Sequence, residues 1–445
     1  MQAMVAAPPR AMTIDGPTSA TQRSRQTFLS RSRDWLPAVL FAVLIASQSV
    51  ARTGEFGGFV DSSKPARSPS QTFTTADGYV TFWDGIPVNG DAMSFLVLTR
   101  FLQGQHGPQG TGIYDHRAGY SYVGALAALF AGHYYSFVAL NALAWLAAAL
   151  SMYWLAVRLL GSRLAGWIAG TLTATGQGFS FMVGTPVSTL FSFAGVAMVL
   201  AFVEWCGLLK PPFRWRDWLH TGWLLAVVSL LYPVYLSLLA CIWLTGLRSA
   251  PFTRLISLSA VALVLAQAWT VVGQVLVGLE FDTTNSGVLA EALSSWWSAL
   301  LRGPSAFLNQ MRLVASAGTI YAAFPGAMLL AAAFGYLAAG PPVRHWALAV
   351  CLAMLMSALI FAIRFAIPRA AFFAYPAVYI LAAAGLARIA TATVTLRPRG
   401  VLPVVAVILG LFLLAAPSAV ALVGYGDYDS IFHFWTQRWS VVADR

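Results

Sequence analysis

Long, nearly uncharged apolar runs follow one another along this chain, and they limit the folds open to it. A helix needs roughly 20 apolar residues to cross a bilayer, with about 17 as the practical lower bound. Runs of this length, or close to it, occur in eleven places: 35–51, 136–157, 164–183, 187–209, 218–231, 234–247, 255–279, 319–339, 346–363, 371–387 and 401–423. The pattern predicts an all-α, polytopic membrane protein with about eleven transmembrane helices.

The composition agrees with this prediction. Hydrophobic residues make up 58% of the chain and charged residues only 10%, whereas a soluble domain carries about 25% charged residues. A soluble globular enzyme, a disordered protein and a disulfide scaffold are therefore excluded. The net charge of +11 does not indicate a nucleic-acid partner, because basic residues of membrane proteins collect in cytoplasmic loops.

The run 118–131 is only about 14 residues long, which suits an interfacial helix better than a span. If it stays on the outer surface, one set of basic residues falls on the cytoplasmic side together with the N-terminus. The set is Arg158, Arg163, Lys210, Arg214, Arg216, Arg248, Arg254, Arg344, Arg388, Arg397 and Arg399. We therefore expect an inner (cytoplasmic) membrane protein whose N-terminus is inside and whose C-terminus and working face are outside, toward the periplasm.

This topology divides the chain into five parts. Residues 1–34 form a disordered cytoplasmic tail, and residues 35–279 form a transmembrane module that includes the outer loop 52–133. A second outer loop follows at 280–318, then the C-terminal transmembrane helices at 319–423 and an outer tail at 424–445.

Two polar clusters in the first outer loop carry residues suited to chemistry. Asn89-Gly90-Asp91 precedes an amphipathic stretch, and Asp115, His116 and Arg117 stand directly before the run 118–131. Carboxylate oxygens suit magnesium or manganese, and arginine suits phosphate oxygens. Two plainer interpretations stay open: Asp91 is placed where it could only cap a helix, and the second cluster could be a solvated loop.

The order of these segments resembles the GT-C superfamily of lipid-dependent glycosyltransferases, which includes protein O-mannosyltransferases and the lipid A aminoarabinose transferase. The resemblance covers about residues 35–260 and is looser beyond them. It is carried by GDAMSFLVLTRFLQG (90–104), YDHRAGYSYVGALAALFAG (114–132) and ALSMYWLAVRLLGSRLAGWIAG (149–170), and later by Arg364-Phe365, Arg369 and Tyr375-Pro376-Ala377.

The resemblance implies an enzyme that takes a sugar from a polyprenyl-phosphate carrier and places it on a lipid, glycan or protein acceptor. Asp91 would be the catalytic carboxylate, and His116 and Arg117 would bind the phosphate. Asp115, with Asp91, would hold a divalent metal such as magnesium or manganese, or Asp115 would orient the arginine. Arg364 or Arg369 would reach the same phosphate, although an arginine at a helix end often only snorkels.

This chain departs from the family pattern at one loop, and two alternative functions stay open. Many relatives carry a second acidic residue in a short outer loop, where this chain has Gly184-Thr185-Pro186-Val187-Ser188. An O-antigen polymerase or ligase would use arginines of a late outer loop, such as Arg302 and Arg312. A transporter or lipid-linked-sugar flippase would place ionisable residues or broken helices near the bilayer midplane.

Overall fold

A computed structural model describes residues 35–50, 72–75, 78–83, 86–104, 118–184, 188–209, 214–229, 235–247, 249–277, 294–314, 324, 326–361 and 371–396. Helices dominate this part of the chain. In order they are α1 (Trp35–Val50), α2 (Gly90–Leu102), α3 (Ala118–Ala131), α4 (His133–Leu160), α5 (Arg163–Ala174), α6 (Gln177–Val183), α7 (Thr189–Cys206), α8 (Trp215–Ser229), α9 (Tyr235–Gly246), α10 (Phe252–Val277), α11 (294–301), α12 (Pro304–Val314), α13 (Gly326–Ala338), α14 (Pro341–Phe361) and α15 (Tyr375–Leu396).

The helical membrane fold predicted from the sequence is confirmed. Three described stretches are long and apolar enough to cross a membrane by length and composition: His133–Leu160, Thr189–Cys206 and Phe372–Thr391. The bounds of α3 coincide with the predicted interfacial run 118–131. The number of eleven spans stays a prediction, and the predicted tail 1–34 and span 401–423 lie outside the described residues.

A small antiparallel sheet, which the sequence analysis did not predict, precedes α2. Its strands β1 (Thr72–Thr75), β2 (Gly78–Trp83) and β3 (Ile86–Asn89) lie in the order β1-β2-β3. Trp83 pairs with Ile86, so Asp84-Gly85 is a two-residue connection. Asp-Gly between strand-forming residues is a strong hairpin signal, and it was present in the sequence. The chain continues from Asn89 directly into α2.

The predicted span 164–183 is not one continuous helix, which corrects the sequence analysis. Helix α5 ends at Ala174 and α6 begins at Gln177. At Gly176 an added Cβ would lie 3.0 Å from the Tyr379 hydroxyl and 3.1 Å from the Thr173 carbonyl, so the chain passes its neighbours closely at this glycine. Away from water, the carbonyls freed by such a break need other donors.

Side chains from neighbouring helices supply those donors. The Trp145 indole Nε1 donates to the Thr173 carbonyl at 2.7 Å, and the Gln48 amide Nε2 donates to the Ala174 carbonyl at 2.8 Å. The Gly176 N–H also donates to the Thr173 carbonyl, at 3.0 Å. The break is therefore a satisfied feature of the buried interior.

An aromatic cluster joins α6, α7 and the start of α15. Phe179 lies 5.7 Å from Phe193, and Phe193 lies 4.8 Å from Phe372, measured between ring centroids. Phe372 stacks on Tyr375 at 5.2 Å, and the Tyr375 hydroxyl donates to the Phe193 carbonyl at 2.8 Å. The short 3-10 helix Phe372–Ala374 is thereby fixed against the first turns of α7.

Helices α13 and α15 approach each other through small residues. A Cβ added at Gly335 would collide with the main-chain carbonyl of Leu381, and one added at Gly385 would lie 2.5 Å from the carbonyl of Ala331. Small residues at a crossing allow helix backbones to pack closely, which is a common way for membrane helices to associate.

Candidate functional site

Helices α2 and α3 pack against each other with their N-termini at the same end. The Phe95 and Tyr120 rings meet edge to face at 5.2 Å, and the Ser121 hydroxyl donates to the Phe95 carbonyl at 3.1 Å. Further along, the Gln103 amide donates to the Ala125 carbonyl at 2.8 Å. Since the contacts advance together along both helices, the two helices run in the same general direction.

Asp91 is the second residue of α2, and its backbone lies at this shared end. The helix begins at Gly90. Asp91 is therefore inside the first turn of α2 and not at the N-cap position that the sequence predicted for it. An aspartate in the first turn is still favoured by the helix dipole. The Asp91 side chain is outside the described part of the structure. Asp115, His116 and Arg117 are also outside it, and Arg117 directly precedes the first residue of α3.

The first turns of α7 lie between the start of α3 and the start of α15. The Phe191 ring centroid is 5.1 Å from that of Tyr120. Two residues further along α7, the Phe193 ring centroid is 4.8 Å from that of Phe372. Arg369, which is outside the described residues together with Arg364, precedes Phe372 by three positions. The structure thus brings together the backbone segments that lead to three of the predicted site regions.

The side chains described at the start of α3 are buried. Tyr120 is fully buried, and burial raises the pKa of its hydroxyl well above the usual value. Tyr120 therefore remains a neutral hydrogen-bond donor. Ser188, just before α7, is also buried, and its hydroxyl has no hydrogen-bond partner among the residues that the structure describes. The N-termini of α2 and α3 carry partial positive charge, which favours anions.

The predicted metal site is not tested by this geometry. Within the part of the chain that the structure describes, no group of three or more His, Cys, Asp or Glu side chains is placed to hold a metal ion. The predicted ligand side chains of Asp91 and Asp115 are not among those described. Magnesium or manganese at this site therefore stays a prediction.

The arginines of the polymerase or ligase alternative lie in the second outer segment. Arg302, at the end of α11, is exposed, and its Nε donates to the Ser298 carbonyl of its own helix at 3.3 Å. Arg312 belongs to α12, and its side chain is outside the described set. No described contact links either arginine to α2 or α3.

Sequence reasoning missed the polar contacts that fix α3 and the end of α6 to α4. Asn141 in α4 accepts a hydrogen bond from the Tyr120 hydroxyl at 2.9 Å. The Tyr134 hydroxyl, also in α4, donates to the Gly184 carbonyl at 2.9 Å. One signal for the first contact was present, because an asparagine inside an apolar run needs a hydrogen-bond partner.

No protein-family model and no curated protein sequence matches the chain. Solved structures similar to it include AglB, an oligosaccharyltransferase of Archaeoglobus fulgidus in complex with an inhibitory peptide and a dolichol-phosphate. That likeness has a TM-score of 0.49 and 13% identity, and it covers 90% of this chain and 60% of AglB. The A. fulgidus oligosaccharyltransferase tethered with an acceptor peptide gives a TM-score of 0.47, 14% identity, 93% of this chain and 60% of that chain.

A third similar structure is ArnT from Cupriavidus metallidurans bound to undecaprenyl phosphate. Its TM-score is 0.44 with 17% identity, over 78% of this chain and 70% of ArnT. The chain spans about 60% of the length of the two oligosaccharyltransferase chains. At these scores the likeness is a loose correspondence of helices, and it assigns no activity to this chain.

Proposed function

We propose that the chain is a membrane glycosyltransferase that moves a sugar from a polyprenyl-phosphate carrier to an acceptor at the outer, periplasmic face of the inner membrane. One observation carries the proposal: α2 and α3 pack with their N-termini at the same end. Asp91 lies in the first turn of α2, and the cluster Asp115, His116 and Arg117 leads into α3. A general base and a phosphate-binding group therefore start from neighbouring points of the backbone.

The length of α4 supports a site near the membrane boundary. Its 28 residues extend about 42 Å at 1.5 Å per residue, whereas the hydrocarbon core is about 30 Å thick. If Arg158 marks the cytoplasmic end, roughly 9 Å of α4 extends beyond the core on the other side. Asn141 lies near that boundary, and Tyr120 of α3 contacts it there. We expect the phosphate of a membrane-anchored carrier to be held near this boundary.

The chemistry follows from the residue types. Asp91 accepts the proton of an acceptor hydroxyl while the hydroxyl oxygen forms a bond to the anomeric carbon of the sugar. The bond from that carbon to the carrier phosphate oxygen breaks, and the polyprenyl phosphate leaves with the electron pair. His116 and Arg117, aided by Arg364 or Arg369, stabilise the charge that develops on the phosphate. Asp115, with Asp91, would hold magnesium or manganese, or would orient Arg117.

A transporter or flippase is the second candidate, and the break between α5 and α6 is the observation that favours it. Broken helices near the midplane commonly form the binding sites of transporters. Here, however, the freed carbonyls of Thr173 and Ala174 already accept hydrogen bonds from Trp145 and Gln48. Both donors are uncharged. The break is thus better explained as a satisfied structural feature than as an ion or substrate site.

A transfer assay distinguishes these functions. The purified protein, reconstituted in liposomes, is incubated with radiolabelled polyprenyl-phosphate sugars and total membrane extract, with and without a chelator. The proposal expects a labelled product and release of polyprenyl phosphate. Movement of an intact labelled carrier between leaflets, with no labelled product, would instead identify a flippase. Loss of transfer on chelation, restored by magnesium or manganese, would support the metal.

Cysteine labelling tests the orientation on which the proposal depends. A cysteine in place of His133 is expected to react with an impermeant reagent from outside, and a cysteine in place of Ser162 only from inside. The opposite pattern at either position would overturn the outer placement of the site.

A further inference from the structure

Asn141 is a completely buried amide in an apolar helix. Its Oδ1 accepts the hydrogen bond of the Tyr120 hydroxyl at 2.9 Å, while its Nδ2 donates to the carbonyls of Met182 at 3.3 Å and Val183 at 3.1 Å. Since main-chain carbonyls only accept hydrogen bonds, the amide nitrogen must face α6 and the amide oxygen must face α3. The partners therefore fix the orientation of the side chain.

These contacts hold the end of α6 in place. The last carbonyls of a helix have no partner within the helix. In α6, Asn141 donates to the Val183 carbonyl and to the Met182 carbonyl, which also accepts from the Gly184 N–H. The Tyr134 hydroxyl donates to the next carbonyl, that of Gly184, at 2.9 Å. Both donors belong to α4. The point at which the chain leaves α6 is thus set by polar side chains of a single neighbouring helix.

On its other side, the same amide is connected to α2. The Tyr120 hydroxyl that binds Asn141 belongs to a ring that packs on Phe95, and the next residue, Ser121, donates to the Phe95 carbonyl. Phe95 follows Asp91 by four positions, which is about one helical turn. A continuous series of contacts therefore runs from Phe95, one turn beyond Asp91 in α2, through α3 and α4 to the end of α6.

We propose that Asn141 is a positioning residue for the transfer reaction. Through Tyr120 and the α6 carbonyls, it holds the start of α2, of which Asp91 is the second residue, in a fixed place relative to the end of α6. This inference rests on the proposed function. A leucine would fill the same space without burying a polar group. The amide therefore contributes through the fixed directions of its hydrogen bonds.

Misplacement of a catalytic group by about 1 Å can lower a rate by about 100-fold. We therefore expect Asn141→Leu to lower kcat by about 10- to 100-fold. Tyr120→Phe removes only the hydroxyl and keeps the ring contacts, so its effect on kcat should be smaller. Because Tyr120 acts through Asn141, the double variant should lose no more kcat than Asn141→Leu alone.

The experiment compares both variants with Ser259→Ala. This control removes the acceptor of the Trp243 indole hydrogen bond, 2.9 Å long, between α9 and α10. Amide hydrogen exchange and kcat per folded molecule are measured for each protein. We expect Tyr120→Phe to raise exchange in α2 and α3 only, Asn141→Leu to raise it there and at 182–184, and the control to change neither exchange nor kcat in this region.

Two results would overturn the inference. Unchanged exchange in α2 for Tyr120→Phe, a variant whose ring contacts keep it foldable, would show that no coupling passes through this contact. Raised exchange with normal kcat would show that the contact is structural only. If the wild-type protein transfers no sugar at all, the proposed function fails, while the exchange data still decide whether Asn141 couples α2 to α6.

Discussion

Helices α13 and α15 pack together in a different way from helices α3, α4 and α6. In the first, Gly335 and Gly385 let two backbones touch, and no side chain is needed between them. In the second, Tyr120 and Asn141 join the elements through hydrogen bonds of defined direction. A backbone contact requires only that residues be small, whereas a polar contact requires particular atoms at particular angles.

This difference predicts two kinds of mutational effect. Substitutions in the glycine contact should lower stability and leave the reaction of the remaining folded molecules unchanged. Substitutions around the start of α2 and α3 should change the reaction first, because the proposed catalytic groups lie there.

The largest effect is expected for Asp91→Asn. Loss of a general base typically lowers the rate by about 100- to 10,000-fold. The amide keeps the shape of the side chain and loses only the favourable interaction of a carboxylate with the helix N-terminus, about 0.3–1 kcal/mol. Sugar transfer and thermal unfolding should be measured on the same preparation. Near-normal transfer would mean that Asp91 serves the helix alone.

Gly335→Val should destabilise the protein by about 1–3 kcal/mol or more, because its Cβ collides with the Leu381 carbonyl and overpacking costs about this much. Thermal unfolding in detergent measures the loss. Gly340→Ala is the matched control, since a Cβ there meets only the Pro342 side chain at 3.8 Å. Equal unfolding temperatures for the two variants would contradict the close backbone contact.

Arg117→Ala should lower kcat/KM for the carrier by about 10- to 100-fold, since a hydrogen bond to a charged group contributes about 1.5–3 kcal/mol. A phosphate partner helps both the bound carrier and the transition state, so KM should rise and kcat should fall. Arg302→Ala, whose guanidinium binds its own helix, is the control and should transfer normally. If Arg302→Ala were inactive and Arg117→Ala active, the polymerase or ligase alternative would be favoured.

The sequence predicted the helices well because apolar runs translate directly into buried or lipid-facing helices. Run 118–131 became α3 with the same bounds. Hydropathy alone did not distinguish the continuous helix α4 from the interrupted pair α5 and α6, since Thr175-Gly176 adds little polarity to an apolar run. The sheet before α2 was missed although Asp84-Gly85 indicated a hairpin.

The site was only partly predictable, for a related reason. Asp91 and the cluster before α3 are visible as polar residues between apolar runs. The contacts of Asn141 join positions 21 and 41 residues apart in the sequence, and no local pattern specifies such pairs. The packing of α2 on α3, which brings the N-termini of these two helices to one end, likewise depends on tertiary contacts.

The smallest effect is expected for Trp145→Phe, which tests whether every buried hydrogen bond of α4 matters to the reaction. Trp145 lies one turn beyond Asn141, and its ring stacks on Phe179 at 5.9 Å. Phenylalanine keeps an aromatic ring there and removes the Nε1 donor. The Thr173 carbonyl still accepts from the Gly176 N–H, so no buried group loses its last partner. We expect a loss of about 1 kcal/mol in the free energy of unfolding with unchanged kcat. A fall in kcat as large as that for Asn141→Leu would show that α4 as a whole, rather than the Asn141 contact, sets the geometry of the site.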